Sequence, residues 1–256
     1  MQKVLITGGY GLLGVSLVNF LLKKKIKVVI LDYKKSNKRK IYFTKSKNLI
    51  IEKGNFVNFN NLLRIFKKHS FDGIFHLGAQ TQVLKAFNKP YETHQTNVLG
   101  TLNLLEILRQ KKLNIPFVYS SSDKAYGELK KKYYFENDKL NGLFPYDASK
   151  SASDLICQSY SKSYNIKVGI IRSANIFGEC DFNVNRIVPE TIISVLKNKK
   201  LKIRSSGKQK RDYIYVEDVS RAYFNVFSEL KNKKKYLLIY NTGSKYNLNA
   251  LQLIKK

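Results

Sequence analysis

A tyrosine and a lysine four residues apart are the pair best suited to acid–base chemistry in this chain of 256 residues. Tyr146 and Lys150 belong to PYDASKSASDLICQSY, which we expect to be helical, so that the two side chains share one face of the helix. A neighbouring ammonium favours the phenolate and lowers the pKa of a tyrosine below its usual value of about 10. We therefore predict that Tyr146, with its pKa lowered by Lys150, removes the proton of a hydroxyl group.

The segment SSSDKAYG, residues 120–127, supplies hydroxyl, carboxyl and amino groups in succession. It follows a predicted strand, and the sites of open parallel sheets lie at the carboxyl ends of their strands. We predict that the Ser122 hydroxyl shares a substrate oxygen with Tyr146. Asp123 then acts as an acid and Lys124 as its partner base. The alternatives are that Asp123 only caps a helix and that Lys124 is one more solvated lysine.

Three glycines spaced three residues apart, Gly8, Gly11 and Gly14, follow the first apolar segment. This pattern is weak alone, but here it ends a strand, opens a helix and precedes Asp32 by 18 residues. Gly8 permits the tight turn, Gly11 lets the backbone approach a pyrophosphate, and Gly14 lets the helix lie close to the sheet. The amides at the start of the helix then face the phosphates, which predicts a dinucleotide site.

The identity of the dinucleotide depends on Asp32, at the end of the second predicted strand. Its carboxylate accepts hydrogen bonds from the adenosine ribose hydroxyls and repels a 2′-phosphate, which favours NAD. Lys34 and Lys35 follow directly and leave NADP open as the alternative.

Short runs of Val, Ile and Leu alternate along the chain with longer segments of helical periodicity. We predict strands at 3–8, 27–32, 49–55, 73–78, 116–122 and 167–175. Continuous apolar strands joined by helices predict an α/β fold with a doubly wound parallel sheet of Rossmann type. We expect a dinucleotide-binding domain at 1–175, to which 212–235 returns, and a small substrate lobe at 176–211 and 236–256.

Composition narrows the class of protein further. Two cysteines, Cys157 and Cys180, are too few for a disulfide framework, and no Cys/His cluster predicts a metal. The chain has no apolar run long enough to span a membrane and no signal peptide at its start, so we expect a cytoplasmic protein without a membrane partner.

The formal net charge of +29 raises the question of a nucleic-acid partner. The lysines, however, are scattered over almost every polar segment instead of being concentrated on one element. We therefore do not expect nucleic acid as the partner, although a positive field attracts an anionic nucleotide substrate.

Six motifs in this order resemble the NAD-dependent epimerase/dehydratase family of extended short-chain dehydrogenases/reductases over essentially the whole chain. They are TGGYGLLG, HLGAQ, TNVLGTLNLLE, YxxxK, NIFG and RDYIYVEDV. Ser-Asp-Lys at 122–124 resembles the subgroup of CDP-glucose 4,6-dehydratases, as do END at 136–138, PYDASK, and NRIVP at 185–189.

This resemblance implies an enzyme that converts a nucleotide hexose into its 4-keto-6-deoxy form and recycles tightly bound NAD. In that reaction Tyr146 deprotonates the hydroxyl on carbon 4, Lys124 removes the proton on carbon 5, and Asp123 protonates the hydroxyl leaving carbon 6. Proton donation requires a neutral Asp123, which Lys124 opposes. The alternatives are a 4-epimerase or reductase of the same family and, from another class, a non-catalytic relative that binds nucleic acid.

The resemblance also assigns binding residues one by one. Asn55 stands where the family has an aspartate, and Asn97 is expected to cap a helix. His76 is expected to be structural. The implied cofactor-binding residues are Gly8, Tyr10, Gly11, Leu12, Gly14, Asp32, Asn55, Phe56, Leu77, Gly78, Ala79, Gln80, Thr96, Ser120, Tyr146 and Lys150. The implied substrate-binding residues are Asn175, Arg186 and Arg211.

Two further expectations follow from the family. One is a homodimer formed through helices at 97–110 and 147–163. The other concerns the end of the sequence, NLNALQLIKK, where family members continue. We expect the lobe that closes over the nucleotide to be incomplete, which would lower turnover more than NAD affinity.

Overall fold

The computed structural model of this protein describes residues 2–33, 42–128, 133–201, 203, 206–232, 235–244 and 246–255. Lys34 and Lys35, which left NADP open as the alternative cofactor, lie outside these residues. Within the described ranges, no helix is both long enough and apolar enough to cross a lipid bilayer.

A seven-stranded parallel sheet forms the centre of the molecule, with the strand order β3-β2-β1-β4-β5-β6-β9. From β1 the chain adds strands first on one side, as β2 and β3, and then on the other, beginning with β4. The direction of strand order thus changes between β1 and β4, as the predicted doubly wound topology requires. Its strands are β1 (Lys3–Thr7), β2 (Lys27–Asp32), β3 (Leu49–Lys53), β4 (Gly73–His76), β5 (Phe117–Ser122), β6 (Val168–Ser173) and β9 (Leu237–Thr242).

The helices of the described residues are α1 (Leu12–Lys23), α2 (Phe59–Lys68), α3 (Val83–Asn88), α4 (Pro90–His94), α5 (Gly100–Gln110), α6 (Pro145–Tyr164), α7 (Ile187–Leu196), α8 (Val216–Asn232) and α9 (Ala250–Ile254). Of these, α1 and α8 pack on one face of the main sheet, and α2, α5 and α6 pack on the other. A π-helical turn, Gln95–Leu99, joins α4 to α5, and a 3₁₀ turn, Asp123–Tyr126, follows β5.

Alternate residues of each buried strand face opposite layers. Val4 and Ile6 of β1 pack with α1 and α8, whereas Leu5 between them packs with α2, α5 and α6. All three side chains are fully buried, so both faces of the strand are apolar. The sequence therefore reads as a continuous run of Val, Leu and Ile, which is why it predicts a strand of a covered parallel sheet.

A three-stranded sheet beside the main one has the order β10-β8-β7 and contains β7 (Asn175–Phe177), β8 (Arg211–Tyr215) and β10 (Asn247–Leu248). β8 runs parallel to β7 and antiparallel to β10. β10 belongs to the predicted lobe, whereas most of β8 falls in 212–235, which was predicted to return to the dinucleotide-binding domain.

One predicted boundary of that lobe is wrong. Residues 236–256 were assigned to it as a block, but β9 pairs in parallel with β6 over six residues and extends the main sheet. Leu237 and Leu238 are apolar, as expected for a strand at the edge of that sheet. The segment is too short to show a clear periodicity, so its sequence alone did not predict a strand of the main sheet.

Candidate active site

The glycine turn, residues 8–14, occupies the carboxyl end of β1. Gly8 has a φ of +71°, and a Cβ atom there would lie 2.7 Å from the Cα atom of Gly78. Gly11 donates its backbone N–H to the Gly8 carbonyl at 3.0 Å, which closes the turn. A Cβ atom on Gly14 would collide with the Gly8 carbonyl oxygen and the backbone of Gly9. Gly8 and Gly14 therefore serve backbone approaches that no other residue permits.

The first helix begins directly after this turn. Gly11 is the N-cap of α1 and offers no side-chain acceptor, so the first amides of the helix, starting with Leu12, remain directed at the mouth of the turn. Tyr10 is 6% exposed, and burial together with the charge of Asp32 raises the pKa of its phenol. Asp32 therefore lies close enough to the glycine turn for both to contact one ligand.

The carboxyl end of β4 forms the opposite wall. Leu77 donates its N–H to the Thr7 carbonyl at 3.2 Å, and Gly78 donates to the Thr7 hydroxyl at 3.1 Å. The segment from Leu77 through Gly78 and Ala79 to Gln80 is thereby held beside the turn at Gly8. These four residues thus lie where the family resemblance puts cofactor contacts.

Asn97 has a different role from the helix cap that the sequence predicts. It lies inside the π-helical turn, where Thr96 also lies, and the helix continues on both sides of it. Its side chain accepts from the Gln80 N–H at 2.8 Å and donates to the Ser149 hydroxyl at 2.8 Å. Asn97 therefore ties the β4 wall to α6, and the cap prediction is wrong.

Asn55 and Phe56 follow β3 at the same edge. The Asn55 Oδ1 atom accepts from the Val57 N–H at 3.0 Å, so the amide that replaces the family's aspartate stabilises a turn. Phe56 is 7% exposed and fills the space where Cβ atoms on Gly78 and Gly100 would stand. Its ring also meets the His76 ring edge-on, with 5.2 Å between the ring centroids.

His76 is structural, as expected. Its Nδ1 atom lies 2.6 Å from the Thr7 hydroxyl and its Nε2 atom 3.0 Å from the Thr101 hydroxyl. Burial, with a smaller contribution from the charge of Lys150, lowers the pKa of His76 from 6.5 to about 3. The imidazole is therefore neutral and connects β4 to Thr7 of β1 and Thr101 of α5.

These features fit a dinucleotide. The glycine turn provides a cradle that a Cβ atom would fill, free helix amides suit a pyrophosphate, and the carboxylate of Asp32 suits ribose hydroxyls. Among the described residues, no group of three His, Cys, Asp or Glu side chains is arranged to hold a metal ion.

The acid–base cluster consists of Ser122, Asp123, Lys124, Tyr146 and Lys150, at the meeting point of β5 and α6. The Ser122 hydroxyl donates to the Asp123 Oδ1 atom at 3.0 Å and lies within hydrogen-bonding reach of the Tyr146 phenol. The hydroxyl, the phenol and the carboxyl group therefore converge. Ser122, not Asp123, is the N-cap of the 3₁₀ turn, since its oxygen accepts from the Lys124 N–H at 3.2 Å.

The predicted lowering of the Tyr146 pKa is wrong for this arrangement. Burial raises the pKa of Tyr146 to about 12, against a smaller lowering by the hydrogen bond from Ser122. Lys150 donates its Nζ proton to the Ser120 carbonyl at 2.7 Å and lies 5.1 Å from the centre of the Tyr119 ring. Burial also lowers the pKa of Lys150 to about 8, so desolvation is the main cause of both shifts.

The sequence analysis left open whether the surroundings of Asp123 raise its pKa, as proton donation requires, or whether Lys124 lowers it. Burial raises the pKa of its carboxyl group, while Lys124, the Ser122 hydroxyl and Arg211 act in the opposite direction. Desolvation prevails, and the shift has the sign that a proton donor needs.

The three substrate-side candidates come from the second sheet and from α7. Asn175 begins β7 and donates to the Asp212 carbonyl at 3.2 Å. Arg186 precedes α7 and donates at 3.3 Å to Asp181, and its charge reaches Tyr146. Arg211 begins β8, and its charge reaches Asp123. Both guanidinium groups therefore lie near the acid–base cluster.

A buried ion pair behind the cluster escaped the sequence analysis. Arg172 of β6 binds both carboxylate oxygens of Asp154 at 2.9 Å, and both side chains are almost completely buried. The Ser121 hydroxyl donates to Asp154 at 2.7 Å, and Arg172 donates to the Tyr126 hydroxyl at 2.8 Å. Asp154 follows Lys150 by four residues on α6, and this spacing was the available signal.

Residues 4–243 match the model of the NAD dependent epimerase/dehydratase family. The chain belongs to this family, as its motifs predict, and the cofactor of the family is NAD. The dTDP-D-glucose 4,6-dehydratase of Dictyostelium discoideum is 33% identical in an alignment that covers 100% of this chain and 61% of that protein. This chain therefore spans less than two thirds of the length of that relative.

Solved structures agree with the fold. A dTDP-glucose 4,6-dehydratase from Bacillus anthracis, in complex with NAD, has a TM-score of 0.87 at 25% identity, covering 100% of this chain and 79% of that one. A UDP-glucose 4-epimerase from Thermotoga maritima, with UDP-glucose, has a TM-score of 0.88 at 26% identity, covering 99% and 81%. The chain thus resembles both dehydratases and epimerases.

Proposed function

We propose that this chain is a nucleotide-sugar 4,6-dehydratase that converts a nucleoside-diphosphate hexose into the 4-keto-6-deoxy sugar and recycles NAD. The observation that carries the proposal is the convergence of Ser122, Asp123 and Tyr146, with the pKa of Asp123 raised by burial. A hydroxyl and a phenol suit oxidation at one carbon, and a carboxyl group beside them whose pKa is raised suits loss of water from another.

The glycine turn, Asp32 and the β4 wall would hold the cofactor. NAD, when bound, supplies a hydride acceptor for the sugar, a hydride donor for its later reduction, and a positive ring that favours ionisation of a nearby phenol. Tyr146 takes the proton of the hydroxyl on carbon 4, and the Ser122 hydroxyl steadies the same oxygen.

Loss of water then requires an acid and a base on one edge of the sugar. Lys124 removes the proton on carbon 5, which the new ketone acidifies, and Asp123 donates a proton to the departing hydroxyl of carbon 6. Carbon 6 is finally reduced and the proton returns from Lys124 to carbon 5. Carbon 4 is oxidised, carbon 6 is reduced, and one water molecule is released.

The nucleotide base has two candidates. Ser-Asp-Lys at 122–124 favours cytidine by resemblance, whereas the named dehydratase relatives act on dTDP-glucose. Arg186 and Arg211 carry the guanidinium groups that suit the diphosphate common to both. Homodimerisation through the helices predicted at 97–110 and 147–163, and a cytoplasmic location, stay predictions.

A 4-epimerase is the second candidate, favoured by the structural likeness to UDP-glucose 4-epimerase. Asp123 separates the two reactions, because epimerisation needs no acid at carbon 6.

The test is to incubate the protein and NAD with CDP-glucose, dTDP-glucose, GDP-glucose or UDP-glucose in turn. The proposal expects one of them to give the ultraviolet band of a 4-keto-6-deoxy sugar in alkali. Conversion to a 4-epimer without that band would identify the epimerase instead, and no reaction with any of the four by folded, NAD-binding protein would refute the proposal.

A further inference from the structure

Asp147 follows the proposed base directly and lies in the first turn of α6. Acidic residues in a first turn usually face water, where they interact favourably with the helix dipole. Asp218 in the first turn of α8 behaves in this way, with a side chain that is 59% exposed. Asp147, in contrast, is only 8% exposed. The helix dipole alone therefore does not account for its position.

The carboxylate of Asp147 also has no hydrogen-bond donor or ion-pair partner among the described residues. The hydrogen bond that Asp147 does receive, from the Ser151 hydroxyl at 3.0 Å, ends on its backbone carbonyl. A largely buried carboxylate that receives no hydrogen bond from the described residues has its acceptor capacity still available. An acceptor of this kind suits the hydroxyl groups of a ligand.

The charges that act on Asp147 place its carboxylate at the acid–base cluster. Burial raises the pKa of Asp147, Asp123 and Glu128 raise it further, and Lys124 and Arg211 lower it. Asp123, Lys124 and Arg211 are the groups that the proposed function puts around the sugar. Asp147 thus borders the same space from the side of α6.

We propose that Asp147 accepts a hydrogen bond from a ring hydroxyl of the hexose, on carbon 2 or carbon 3. The inference rests on the proposed function, in which Tyr146 with Ser122 takes the hydroxyl on carbon 4, and Asp123 takes that on carbon 6. The hydroxyls on carbons 2 and 3 are the remaining donors on the ring. Asp147 is then a specificity-determining residue that selects sugars with this hydroxyl free.

Equilibrium binding tests the contact without any need for turnover. Tyr146→Phe is the background, since it removes the proposed base, and calorimetry on the NAD-loaded protein measures the affinity for CDP-glucose and dTDP-glucose. The 2-deoxy and 3-deoxy analogues with the same base are then measured with and without Asp147→Asn. Asp147→Ser is the second variant, and Asp218→Asn is the matched first-turn control.

Asp147→Asn and Asp147→Ser are expected to weaken the binding of the parent sugar nucleotide about tenfold or more. One of the two deoxy analogues is expected to bind the Tyr146→Phe protein about tenfold more weakly than the parent sugar nucleotide does. Adding Asp147→Asn should not weaken the binding of that analogue further. NAD affinity and the Asp218→Asn control are expected to stay unchanged.

An equal loss for the parent sugar and both analogues, or no loss at all, would overturn the inference. The same holds if neither sugar nucleotide binds, and the proposed function then fails with it. If binding follows the expected pattern but the protein with Tyr146 intact forms no 4-keto-6-deoxy sugar, only the proposed reaction is wrong.

Discussion

The glycine turn and the acid–base cluster lie at neighbouring strand ends of one sheet, yet they are built in opposite ways. The turn consists of backbone, and its geometry depends on the absence of side chains at Gly8 and Gly14. The cluster consists of ionisable side chains whose pKa values are set mainly by burial. A backbone site can be recognised from the spacing of its glycines between a predicted strand and a predicted helix, whereas the chemistry of a side-chain site depends on the residues that surround it.

We expect substitutions behind the acid–base cluster to destabilise the protein more than substitutions in the glycine turn, because the buried ion pair of Asp154 and Arg172 packs behind the cluster. Asp154→Ala leaves the Arg172 guanidinium buried without its partner, and we expect the free energy of unfolding to fall by about 3–5 kcal/mol. Denaturant titration measures the loss. The exposed ion pair between Asp218 and Arg221 is the control, where Asp218→Ala should cost less than about 1 kcal/mol. Equal losses in the two variants would show that the buried pair does not support the cluster.

Within the glycine turn, we expect Gly8 to be needed for stability and Gly11 to be needed for NAD binding. Gly8→Ala places a side chain at a φ of +71° and against Gly78, so we expect a loss of at least about 1–2 kcal/mol in the free energy of unfolding. A Cβ atom at Gly11 meets only the Gly8 carbonyl oxygen, at 3.3 Å, so Gly11→Ala should keep its stability and lose NAD affinity. Denaturant titration and calorimetry with NAD distinguish them, and a stability loss in Gly11→Ala equal to that of Gly8→Ala would contradict the division.

His76, which lies between the two regions, should make stability depend on pH. Its pKa is lowered from 6.5 to about 3 in the folded protein, so the unfolded chain binds more protons between these values. Stability from this residue is therefore present above pH 6.5 and is lost as pH falls, with a slope of up to about 1.4 kcal/mol per pH unit. His76→Asn should flatten the slope in denaturant titrations between pH 6.5 and 4. An unchanged slope would show that His76 is not held neutral.

Much of the fold follows from the sequence for the same physical reason as the glycine turn. Buried strands such as β1 must be apolar on both faces, and the glycine pattern marks where β1 ends and α1 begins. β9 was not predicted as a strand of the main sheet, because a short segment near the end of the sequence carries little periodicity.

The sequence predicted which residues form the candidate site, but it did not predict the direction of their pKa shifts. The four-residue spacing of Tyr146 and Lys150 gives their shared position, yet it does not show that burial raises the pKa of one and lowers that of the other. Asn97 illustrates the same limit, since its partners Gln80 and Ser149 lie 17 and 52 residues away. Contacts between distant elements decide such roles.

The most direct test of the account is the role of Asp123, the residue on which loss of water depends. The measurement is a single-turnover reaction of Asp123→Asn with NAD and the sugar nucleotide that the wild-type protein converts, followed by the absorbance of the reduced nicotinamide and the alkaline ultraviolet band. We predict that the nicotinamide is reduced at a rate near that of the wild type, while the 4-keto-6-deoxy product forms at least about 100-fold more slowly. Formation of that product at the wild-type rate would contradict the central claim that Asp123 is the acid of the dehydration.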